Sequence, residues 1–444
     1  MALSGLQTPM EKFDATVIGG GLAGMAASIH LVRAGLRVLC VETVSADTDP
    51  VGESLDWSAP DLLKELGLPM EELIRRGIAT YKRHVIFKLQ DGAEQHYVPG
   101  AWLGRAPFHV ELRTLHVDRT ELNASIRAIA VHDGVQMLVD KVVGVEKDET
   151  RRVLAVSTQS GTRITSPWFL DASGFATSLL PRAFKLAMYE YGPSKVAIWD
   201  YFKVGNSPEG TTLYGSAMDC YMEWVWQIPI REDTVSVGYV ASGDTIKKAR
   251  SSGMGIPDIY RAQLNSFPAL RHLLEEPKEI RPHVTSFRCR VYRKVAGPNW
   301  IVIGEAASMI DPMTSNGVTA ALRQSTEAAQ ILAKHRHRKQ LPWRAAAAYS
   351  WRVVGMARFF NCGIERVLYD WPIRKRIGPL NAGDVYTIPA WLMNLCYSRL
   401  APQGIMCTGL FGCMLSGLRA AAAAFSWLCR QRSFSKAVPK YIAC

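Results

Sequence analysis

Residues 13–42 read FDATVIGGGLAGMAASIHLVRAGLRVLCVE, and this stretch decides the fold of the N-terminal part of the chain. A short β-rich run ends in three glycines, an apolar helical pattern follows, and a second apolar run ends at Glu42. Gly19, Gly21 and Gly24 allow a tight turn, close approach of the backbone to a pyrophosphate, and close helix–strand packing. The helix N-terminus offers free N–H groups to phosphate, and Glu42 can accept a hydrogen bond from a ribose hydroxyl. The stretch therefore predicts a βαβ dinucleotide-binding unit.

The composition is that of an ordinary globular protein. A chain of 444 residues, 48% hydrophobic and 21% charged, suits two or three packed units. The net charge of +12 predicts attraction to phosphates, acidic membrane surfaces or an acidic partner, or is simply a solvated basic surface. The sequence contains no recognition-helix, zinc-finger or RNA-binding signature, so we expect no nucleic-acid partner.

The cysteines favour a reducing, cytoplasmic setting without a metal site. Their odd number, their scatter and the absence of a Cys-X-X-Cys pair all point this way. The cysteines are Cys40, Cys220, Cys289, Cys362, Cys396, Cys407, Cys413, Cys429 and Cys444. The first residues, MALSGLQTPMEK, lack the pattern of a secretory signal, so we expect none.

Two later motifs specify the dinucleotide as FAD. DASG at 171–174 follows an apolar run, and Asp171 and Gly174 would bring backbone close to the flavin nucleotide. GEAASMIDPMTSNGV at 304–318 follows another apolar run, and Asp311 can bond hydroxyls of the ribityl chain. The helix predicted to start near Gly317 would direct its N-terminus at the flavin pyrimidine carbonyl, where negative charge collects on reduction.

A tryptophan pair marks the β-rich middle of the chain. VAIWDYFKV, TTLYG, YMEWVWQIPI and TVSVGYV alternate as antiparallel strands do. Within WVWQIP, Trp224 and Trp226 lie two residues apart and therefore on one face of a strand. They suit a wall between flavin and substrate, or else cross-strand core packing.

These patterns predict an α/β fold with three parts. The first is a Rossmann-type FAD-binding domain of residues 1–80, 101–180 and 285–335. The second is an interleaved antiparallel β-sheet substrate domain of residues 81–100 and 181–284. The third is a C-terminal helical region of residues 336–444, within which the apolar segment 404–429 predicts either a packed helical cap or peripheral contact with a membrane surface.

The chain resembles the flavin-dependent halogenases and halogenase-like monooxygenases, a branch of the FAD-containing aromatic hydroxylases. The resemblance covers most of residues 13–335. It rests, in the order of that family, on GGGLAG, VGESLDWSAPDLLKELGL, ATYKRHVIFKL, LHVDRTELN, FLDASGF, WVWQIP and GEAASMIDPMTSNGV. The resemblance also implies cofactor contacts by Arg119 of LHVDRTELN and by Val318 next to Gly317.

The resemblance assigns a catalytic role to Lys82, which falls where the family carries the lysine that mediates halogenation by hypohalous acid. An ammonium beside a buried tunnel can hydrogen-bond hypohalous acid and polarise it toward an aromatic carbon. A neutral lysine could instead form a chloramine. The alternative is a solvent-facing lysine on an edge strand, since Thr80 to Leu89 reads as one strand.

The sequence departs from the family at two places. Thr314 stands where tryptophan halogenases carry a glutamate, and a threonine cannot act as a carboxylate base. Ser315 opens a changed Ser-Asn-Gly loop where family members bind halide, so both residues are candidates for the catalytic site. Ser173-Gly174 replaces the Asp-Gly pair of single-component hydroxylases, which favours FAD reduction by a separate flavin reductase over direct use of NAD(P)H.

The leading hypothesis is an FAD-dependent monooxygenase that acts on a phenolic, pyrrolic or indolic ring, free or tethered to a carrier or protein. Through a C4a-hydroperoxyflavin it would halogenate by way of Lys82 or hydroxylate directly. A geranylgeranyl-reductase-like enzyme acting on a prenyl lipid is the second hypothesis, and a non-catalytic prenyl-protein carrier is the third.

Overall fold

The structure is a computed structural model. It describes residues 12–43, 51–56, 58–89, 94–97, 114–218, 221–275, 280–363, 365 and 369. The strands of these residues are, in chain order, β1 (Ala15–Ile18), β2 (Val38–Glu42), β3 (Ala79–Tyr81), β4 (Val85–Leu89), β5 (Glu94–Tyr97), β6 (Leu115–Val117), β7 (Gln136–Val139), β8 (Val142–Lys147), β9 (Val153–Thr158), β10 (Arg163–Ile164), β11 (Trp168–Asp171), β12 (Met188–Lys203), β13 (Thr211–Met218), β14 (Tyr221–Arg231), β15 (Thr234–Ser242), β16 (His283–Tyr292), β17 (Trp300–Val302) and β18 (Ser308–Met309).

The helices of the described residues lie between and after these strands. They are α1 (Leu22–Arg33), α2 (Ala59–Leu66), α3 (Met70–Arg75), α4 (Arg119–His132), α5 (Gly174–Thr177), α6 (Leu179–Ala183), α7 (Gly243–Ser251), α8 (Ile256–Asn265), α9 (Gly317–His335) and α10 (Trp343–Gly363). Short 3-10 turns cover Pro268–Leu274, Gly304–Ala306 and Pro312–Thr314.

A five-stranded parallel sheet forms the centre of the dinucleotide-binding part, in the order β17-β11-β1-β2-β7. Strands β1, β2 and β11 are buried along their whole length. Such continuous apolar runs are expected where helices cover both faces of a parallel sheet. Helix α1 packs against α9, and their apolar faces join the largest hydrophobic core formed by the described residues. The predicted βαβ unit is confirmed.

An eight-stranded sheet follows the order β18-β16-β12-β15-β14-β13-β4-β5 and is antiparallel except where β13 meets β4. The side chains of strand β14 illustrate that both faces of this sheet are buried. Trp224 and Trp226 enter one hydrophobic core, whereas Val225 between them enters another. This alternation places successive side chains on opposite faces. The sheet predicted from the β-rich middle is confirmed, and it extends past residue 284 through β16 and β18.

Two predicted elements differ from those observed. The single strand predicted from Thr80 to Leu89 is two strands, β3 and β4, which join different sheets. The apolar pattern of residues 116–130 predicts a helix from His116 to Ala130. The helix begins instead at Arg119, because Asp118 caps it by accepting from the N–H groups of Thr120 and Glu121.

The predicted C-terminal helical region is described only through α10 and at residues 365 and 369. Segment 404–429, with its predicted membrane contact or helical cap, lies outside the described residues. Among the residues that the structure describes, no helix combines the length and apolarity that crossing a bilayer requires.

Candidate active site

Loops from three parts of the chain meet at the carboxyl edge of the parallel sheet, where β1, β11 and β17 end. The Ala172 N–H donates to the carbonyl of Ile18 at 2.8 Å, which joins the DASG turn to the glycine turn. A Cβ placed on Gly304 would lie 2.8 Å from the Cβ of Ala23 in α1, which brings the third loop alongside. Ligands of open α/β sheets bind at this edge. The predicted convergence of the three motifs is therefore present.

The glycine turn is open to a ligand at one glycine, and at two others the backbone leaves no space even for a Cβ atom. Gly19 has φ +104°, and a Cβ there would lie 2.4 Å from the carbonyl oxygen of Ala172. A Cβ on Gly24 would lie 1.8 Å from the carbonyl oxygen of Gly19. Gly21 is exposed, and a Cβ on it would meet no described atom within 4 Å. The turn therefore closes on itself at two glycines and opens at the third.

The open side of this turn is suited to a pyrophosphate. Gly21 is the N-cap of α1, and no side chain of the described residues caps that helix end. The first turn of α1 holds no acidic residue, so its N–H groups and dipole face the open space uncompensated. Gly174, at φ +76°, likewise faces open space. We call the glycine turn of residues 19–24 and the adjoining turn of residues 172–174 the cradle. These features fit a dinucleotide such as FAD.

Glu42 ends β2 beside this cradle, as predicted for a ribose contact. Both of its carboxylate oxygens accept from the guanidinium of Arg127 in α4. The Glu42 side chain is 9% exposed and that of Arg127 is 46% exposed. Hydrogen bonds to Glu42 raise the pKa of Arg127. The arginine thus holds the carboxylate in place, and the ribose contact itself stays a prediction.

Arg119 is the first residue of α4 and contacts the loop at residues 51–52. Its Nη1 donates to the carbonyls of Val51 at 2.9 Å and Gly52 at 3.3 Å. Its Nε is buried and has no acceptor among the described residues. Buried donors are almost always satisfied. A bound group with acceptor oxygens would satisfy this N–H group. Arg119 therefore fits the cofactor role that the resemblance implies.

The two predicted cofactor aspartates are held within the protein. Asp171 accepts from the N–H groups of Ser173 at 3.0 Å and Leu180 at 2.6 Å. Asp311 accepts from Lys195 Nζ at 2.9 Å and from Tyr369 Oη at 3.1 Å. Both carboxylates are buried and shape their turns, and direct contact of either with the cofactor stays a prediction.

Glu305 is an acidic residue that the sequence analysis did not select. It follows β17 in the turn Gly304–Ala306, and it is exposed although its neighbours on either side are buried. Its charge acts on Arg119. The first residues after a parallel strand lie at the ligand edge of a sheet, and that position was the available signal.

Lys82 lies in the link between β3 and β4 and is buried, 7% exposed. Its Nζ donates to the carbonyl of Leu55 at 3.0 Å and to Ser315 Oγ at 3.4 Å. Burial lowers the pKa of the Lys82 ammonium to about 8, and the charge of Asp56 opposes this shift. Of the two alternatives for Lys82, the exposed edge-strand lysine is wrong, because Lys82 follows the end of β3 and its side chain is buried.

The loop before α9 brings the Asp-Pro motif to Lys82. Ser315 has φ +59°, an uncommon conformation for a residue other than glycine, and its Oγ donates to Ser54 Oγ at 3.0 Å. Thr314 ends the turn Pro312–Thr314, and its side chain lies outside what the structure describes. Gly317 is the first residue of α9, as predicted, and Val318 approaches the Gly52 position near Arg119.

Trp224 and Trp226 are both 2% exposed, with ring centroids 5.8 Å apart. Trp224 Nε1 donates to Tyr369 Oη at 2.8 Å, and Trp226 Nε1 donates to Ser236 Oγ at 3.0 Å. Both rings pack in the core that includes residues 310 and 313 of the Asp-Pro loop. Both indoles are thus anchored next to the loop that Lys82 contacts, and their contact with substrate stays a prediction.

A second buried lysine was missed by the sequence analysis. Lys195 in β12 contacts the carboxylates of Asp311 and Glu365. Cys289, Asp311 and Glu365 place atoms of metal-ligand type within 4.8 Å of one another. The Lys195 ammonium contacts both carboxylates, and the pKa of Lys195 lies well above its usual value despite burial, chiefly through the charge of Asp311. The arrangement is therefore a buried ion-pair cluster.

Comparison with protein families gives two matches. A family model described as tryptophan halogenase matches residues 109–351, and one described as FAD binding domain matches residues 14–58. The second match contains the glycine cradle and Glu42. The predicted cofactor is thereby confirmed, because the matched segment and the open cradle agree: the chain carries an FAD-binding domain.

Two curated relatives of the chain differ in their activities. The chain is 28% identical to a tryptophan 2-halogenase of Chondromyces crocatus over 70% of this chain and 59% of the relative. It is 27% identical to a menaquinone reductase of Mycolicibacterium smegmatis over 72% of this chain and 76% of the relative. The chain thus spans about three fifths of the length of that halogenase.

A solved structure has the same fold. It is that of a triple mutant of the flavin-dependent brominase Bmp2, with a TM-score of 0.72 and 23% identity, covering 87% of this chain and 95% of that one. The predicted α/β fold with a Rossmann-type FAD-binding part is confirmed.

Proposed function

Because the chain belongs to the tryptophan halogenase family, we propose that it is an FAD-dependent enzyme that halogenates an electron-rich aromatic ring through Lys82. The observation that carries the proposal is the position of Lys82, buried and in contact with Ser315 in the loop that starts α9. A surface lysine would meet water and could not hold a reactive halogen species apart from it.

FAD, when bound in the cradle and reduced, supplies the activated oxygen that turns a halide into hypohalous acid. Lys82 then acts on that small molecule in one of its two protonation states. With its pKa near 8, the ammonium predominates at neutral pH and can donate a hydrogen bond to the hypohalous oxygen. The neutral amine, a minor fraction there, is the form that would be a nucleophile toward the halogen.

The ring step balances without a further oxidant. An aromatic carbon forms a bond to halogen as the oxygen–halogen bond breaks, hydroxide takes a proton to become water, and the ring loses its proton. Lys82 can supply the first proton and recover one afterwards. We place the ring beside Trp224 and Trp226, because their buried indoles belong to the same hydrophobic core as Ile310 and Met313 of the Asp-Pro loop that Lys82 contacts.

Supply of reduced FAD and of substrate completes the proposal. Ser173-Gly174 at the second motif supports a separate flavin reductase as the partner, and the substrate class is a phenol, pyrrole or indole, free or tethered to a carrier or protein. The buried thiols of Cys40 and Cys289 support the predicted reducing, cytoplasmic setting.

The test uses the full chain with FAD, a flavin reductase, NADH, bromide or chloride, and a panel of phenols, pyrroles and indoles. Products are read by mass spectrometry. We expect a halogenated product, and we expect Lys82→Met to lower its rate by about 100-fold or more. Lys88→Met is the matched control, because Lys88 is a partly exposed lysine six residues away that pairs with Glu94 at 2.7 Å.

Two results would overturn the proposal. Oxygen insertion without halide, at equal rates in the parent and in Lys82→Met, would identify a hydroxylase. An equal loss of rate in Lys82→Met and Lys88→Met would remove the special role of Lys82.

Reduction of a prenylated lipid is a second candidate, favoured by the similarity to a menaquinone reductase. Such a reaction would add a hydride, which reduced FAD would supply when bound, and a proton across a carbon–carbon double bond, and it needs neither halide nor oxygen. Anaerobic incubation of the reduced enzyme with a menaquinone would in this case add two hydrogens to the prenyl side chain, read by mass spectrometry, and Lys82→Met would form this product as fast as the parent.

A further inference from the structure

Buried hydroxyl groups connect Lys82 to a histidine. Lys82 Nζ donates to Ser315 Oγ at 3.4 Å, and Ser315 Oγ donates to Ser54 Oγ at 3.0 Å. Ser54 Oγ lies 3.4 Å from Thr211 Oγ1, which lies 2.8 Å from His116 Nε2. We call the hydroxyls of Ser315, Ser54 and Thr211 the hydroxyl chain.

The far end of the hydroxyl chain fixes the direction of every hydrogen bond in it. Thr80 Oγ1 donates its proton to the carbonyl of Pro229 at 2.6 Å and lies 3.4 Å from His116 Nδ1. A hydroxyl has one proton, so Thr80 must accept from His116 Nδ1–H. In neutral imidazole Nε2 is then an acceptor, and Thr211 must donate to it.

The same reasoning runs back to the lysine. Thr211, having given its proton to His116, accepts from Ser54, and Ser54 accepts from Ser315. Ser315 therefore turns a lone pair toward Lys82. An ammonium can only donate, so this direction suits the charged form of Lys82 and would be lost if His116 carried its proton on Nε2.

The hydroxyl chain is built on rigid backbone, and its members Ser54 and Thr211 are shielded from water, whereas Ser315 is partly exposed. Ser54 and His116 form an isolated antiparallel bridge, and Thr211 is the first residue of β13. Exposure is 7% at Ser54, 4% at Thr211 and 0% at His116. Buried as they are, Ser54, Thr211 and His116 keep one hydrogen-bonding arrangement, because no bulk water competes for their donors.

We propose that His116 is a positioning residue for Lys82: through the hydroxyl chain it keeps Ser315 an acceptor toward the ammonium. This inference rests on the proposed function, in which Lys82 carries the chemistry. His116 touches neither halide nor ring in this proposal and transfers no proton. It sets the orientation of a group that acts on the reacting molecule.

The charges around Lys82 and His116, which lie at the two ends of the hydroxyl chain, agree with these roles. Asp56 faces Lys82 and favours its ammonium, whereas burial disfavours it. Burial lowers the pKa of His116 well below its usual value, and the charges of Lys82 and His84 act in the same direction. A neutral His116 is what the hydrogen-bond directions require, because the imidazolium has no acceptor nitrogen.

The first test reads the tautomer of His116 in the full-length protein. Nitrogen-15 chemical shifts of labelled histidine, assigned by comparison with His116→Gln, report which ring nitrogen carries the proton. We expect Nδ1–H with an unprotonated Nε2 from pH 6 to 9. A proton on Nε2 would reverse the bond to Thr211 and overturn the proposal.

The second test reads the ammonium of Lys82 directly. Full-length protein is acetylated briefly with trace acetic anhydride between pH 6 and 11, and the modified fraction of Lys82 is measured by peptide mass spectrometry. We expect a midpoint near pH 8 in the parent, and about half a pH unit lower in Thr211→Val, because the oriented acceptor is lost.

Matched variants separate positioning from damage to the fold. Thr211→Ser keeps the hydroxyl and should restore the midpoint of the parent. Thr212→Val changes the next threonine of the same strand, which is 5% exposed and lies outside the hydroxyl chain, and should leave the midpoint unchanged. Equal shifts in Thr211→Val and Thr212→Val, or no shift in either, would overturn the proposal. Because labelling needs no turnover, failure of the halogenation assay would not affect this result.

Discussion

Lys82 and Lys195 are both buried lysines beside the eight-stranded sheet, and their surroundings move their pKa values in opposite directions. Lys82 is 7% exposed and Lys195 is 1% exposed. Burial lowers the pKa of Lys82 to about 8, with only partial opposition from Asp56. Burial acts in the same sense on Lys195, but the charge of Asp311, aided by Glu365, raises its pKa well above the usual value.

The difference shows that burial alone does not identify a reactive lysine. Lys195 is fixed as an ammonium by two carboxylates, one from the Asp-Pro loop and one from residue 365 after α10, so its role is to join these segments. Lys82 contacts a carbonyl and a hydroxyl, and its pKa lies close enough to neutrality for proton exchange. The counter-charge decides which lysine can take part in chemistry.

Removing the charge of Lys195 is expected to have the largest effect on stability. Lys195→Met would leave Asp311 and Glu365 buried together without their cation. We expect the free energy of unfolding, measured by urea denaturation, to fall by about 3–5 kcal/mol. Lys203→Met is the matched control, since Lys203 pairs with Asp233 at 2.7 Å on the surface and should change stability by less than about 1 kcal/mol.

Unlike the replacement of Lys195, the replacement of Lys82 is not expected to destabilise the protein. Lys82→Met removes a buried ammonium that is only partly compensated, so this variant should be no less stable than the parent at pH 7 although it loses halogenation. Equal destabilisation by Lys82→Met and Lys195→Met would show that both lysines are structural.

Local sequence patterns were enough to locate Lys82 and the cofactor-binding loops near it. The glycine turn, the tryptophan pair of β14 and the helix that starts at Gly317 are each specified by residues close together in the chain. Lys82 could be selected from its motif, but whether it is buried could not, because that depends on the chain leaving β3 just before it. The 304–318 motif indicated an acid near the cofactor and could not show whether Glu305 or Asp311 faces outward.

The Lys195 cluster has no comparable local signal. Lys195 is separated from Asp311 by 116 residues and from Glu365 by 170 residues, and no spacing rule connects them. Its position follows from the pairing of β12 with β16, which brings Cys289 alongside. A single sequence does not reveal such pairings between distant segments. Here these pairings determine which carboxylates form ion pairs inside the protein.

The pH dependence of stability gives a second way to separate the two lysines. Lys82 has a pKa of about 8 in the folded protein and the usual 10.5 when unfolded. Between these values the unfolded chain binds the extra proton, so the contribution of Lys82 to the free energy of unfolding rises with pH, by about 3 kcal/mol in total. The difference in stability between the parent and Lys82→Met, measured by urea denaturation from pH 7 to 10.5, isolates this rise.

The contribution of Lys195 to the free energy of unfolding is expected to fall with pH rather than rise, and to do so in a different pH range. Its folded pKa is raised, so its stabilisation is complete below the unfolded pKa and is lost only as pH rises above it. The deficit of Lys195→Met should therefore be constant from pH 7 to about 10. A deficit that shrinks across pH 8–10 would mean that Lys195 loses its proton there and would remove the contrast with Lys82.

The smallest predicted effect concerns Asp56, the carboxylate that opposes the shift at Lys82. Its Oδ1 accepts from the Ser58 N–H at 2.8 Å and from Thr319 Oγ1 at 2.7 Å, bonds that an asparagine oxygen can keep. Asp56→Asn should therefore remove the charge and lower the acetylation midpoint of Lys82 by about half a pH unit. Asp61→Asn, at an exposed site in α2, is the control and should leave that midpoint unchanged.

The outcome at Asp56 bears on the cause of the contrast itself. Burial raises the pKa of Asp56, so the charge it contributes depends on its remaining ionised beside Lys82. An unchanged midpoint in Asp56→Asn would mean that Asp56 already carries a proton in the parent. Lys82 would then differ from Lys195 by having no effective counter-charge from this residue, and the hydroxyl of Ser315 and the carbonyl of Leu55 would be among the groups that stabilise its ammonium.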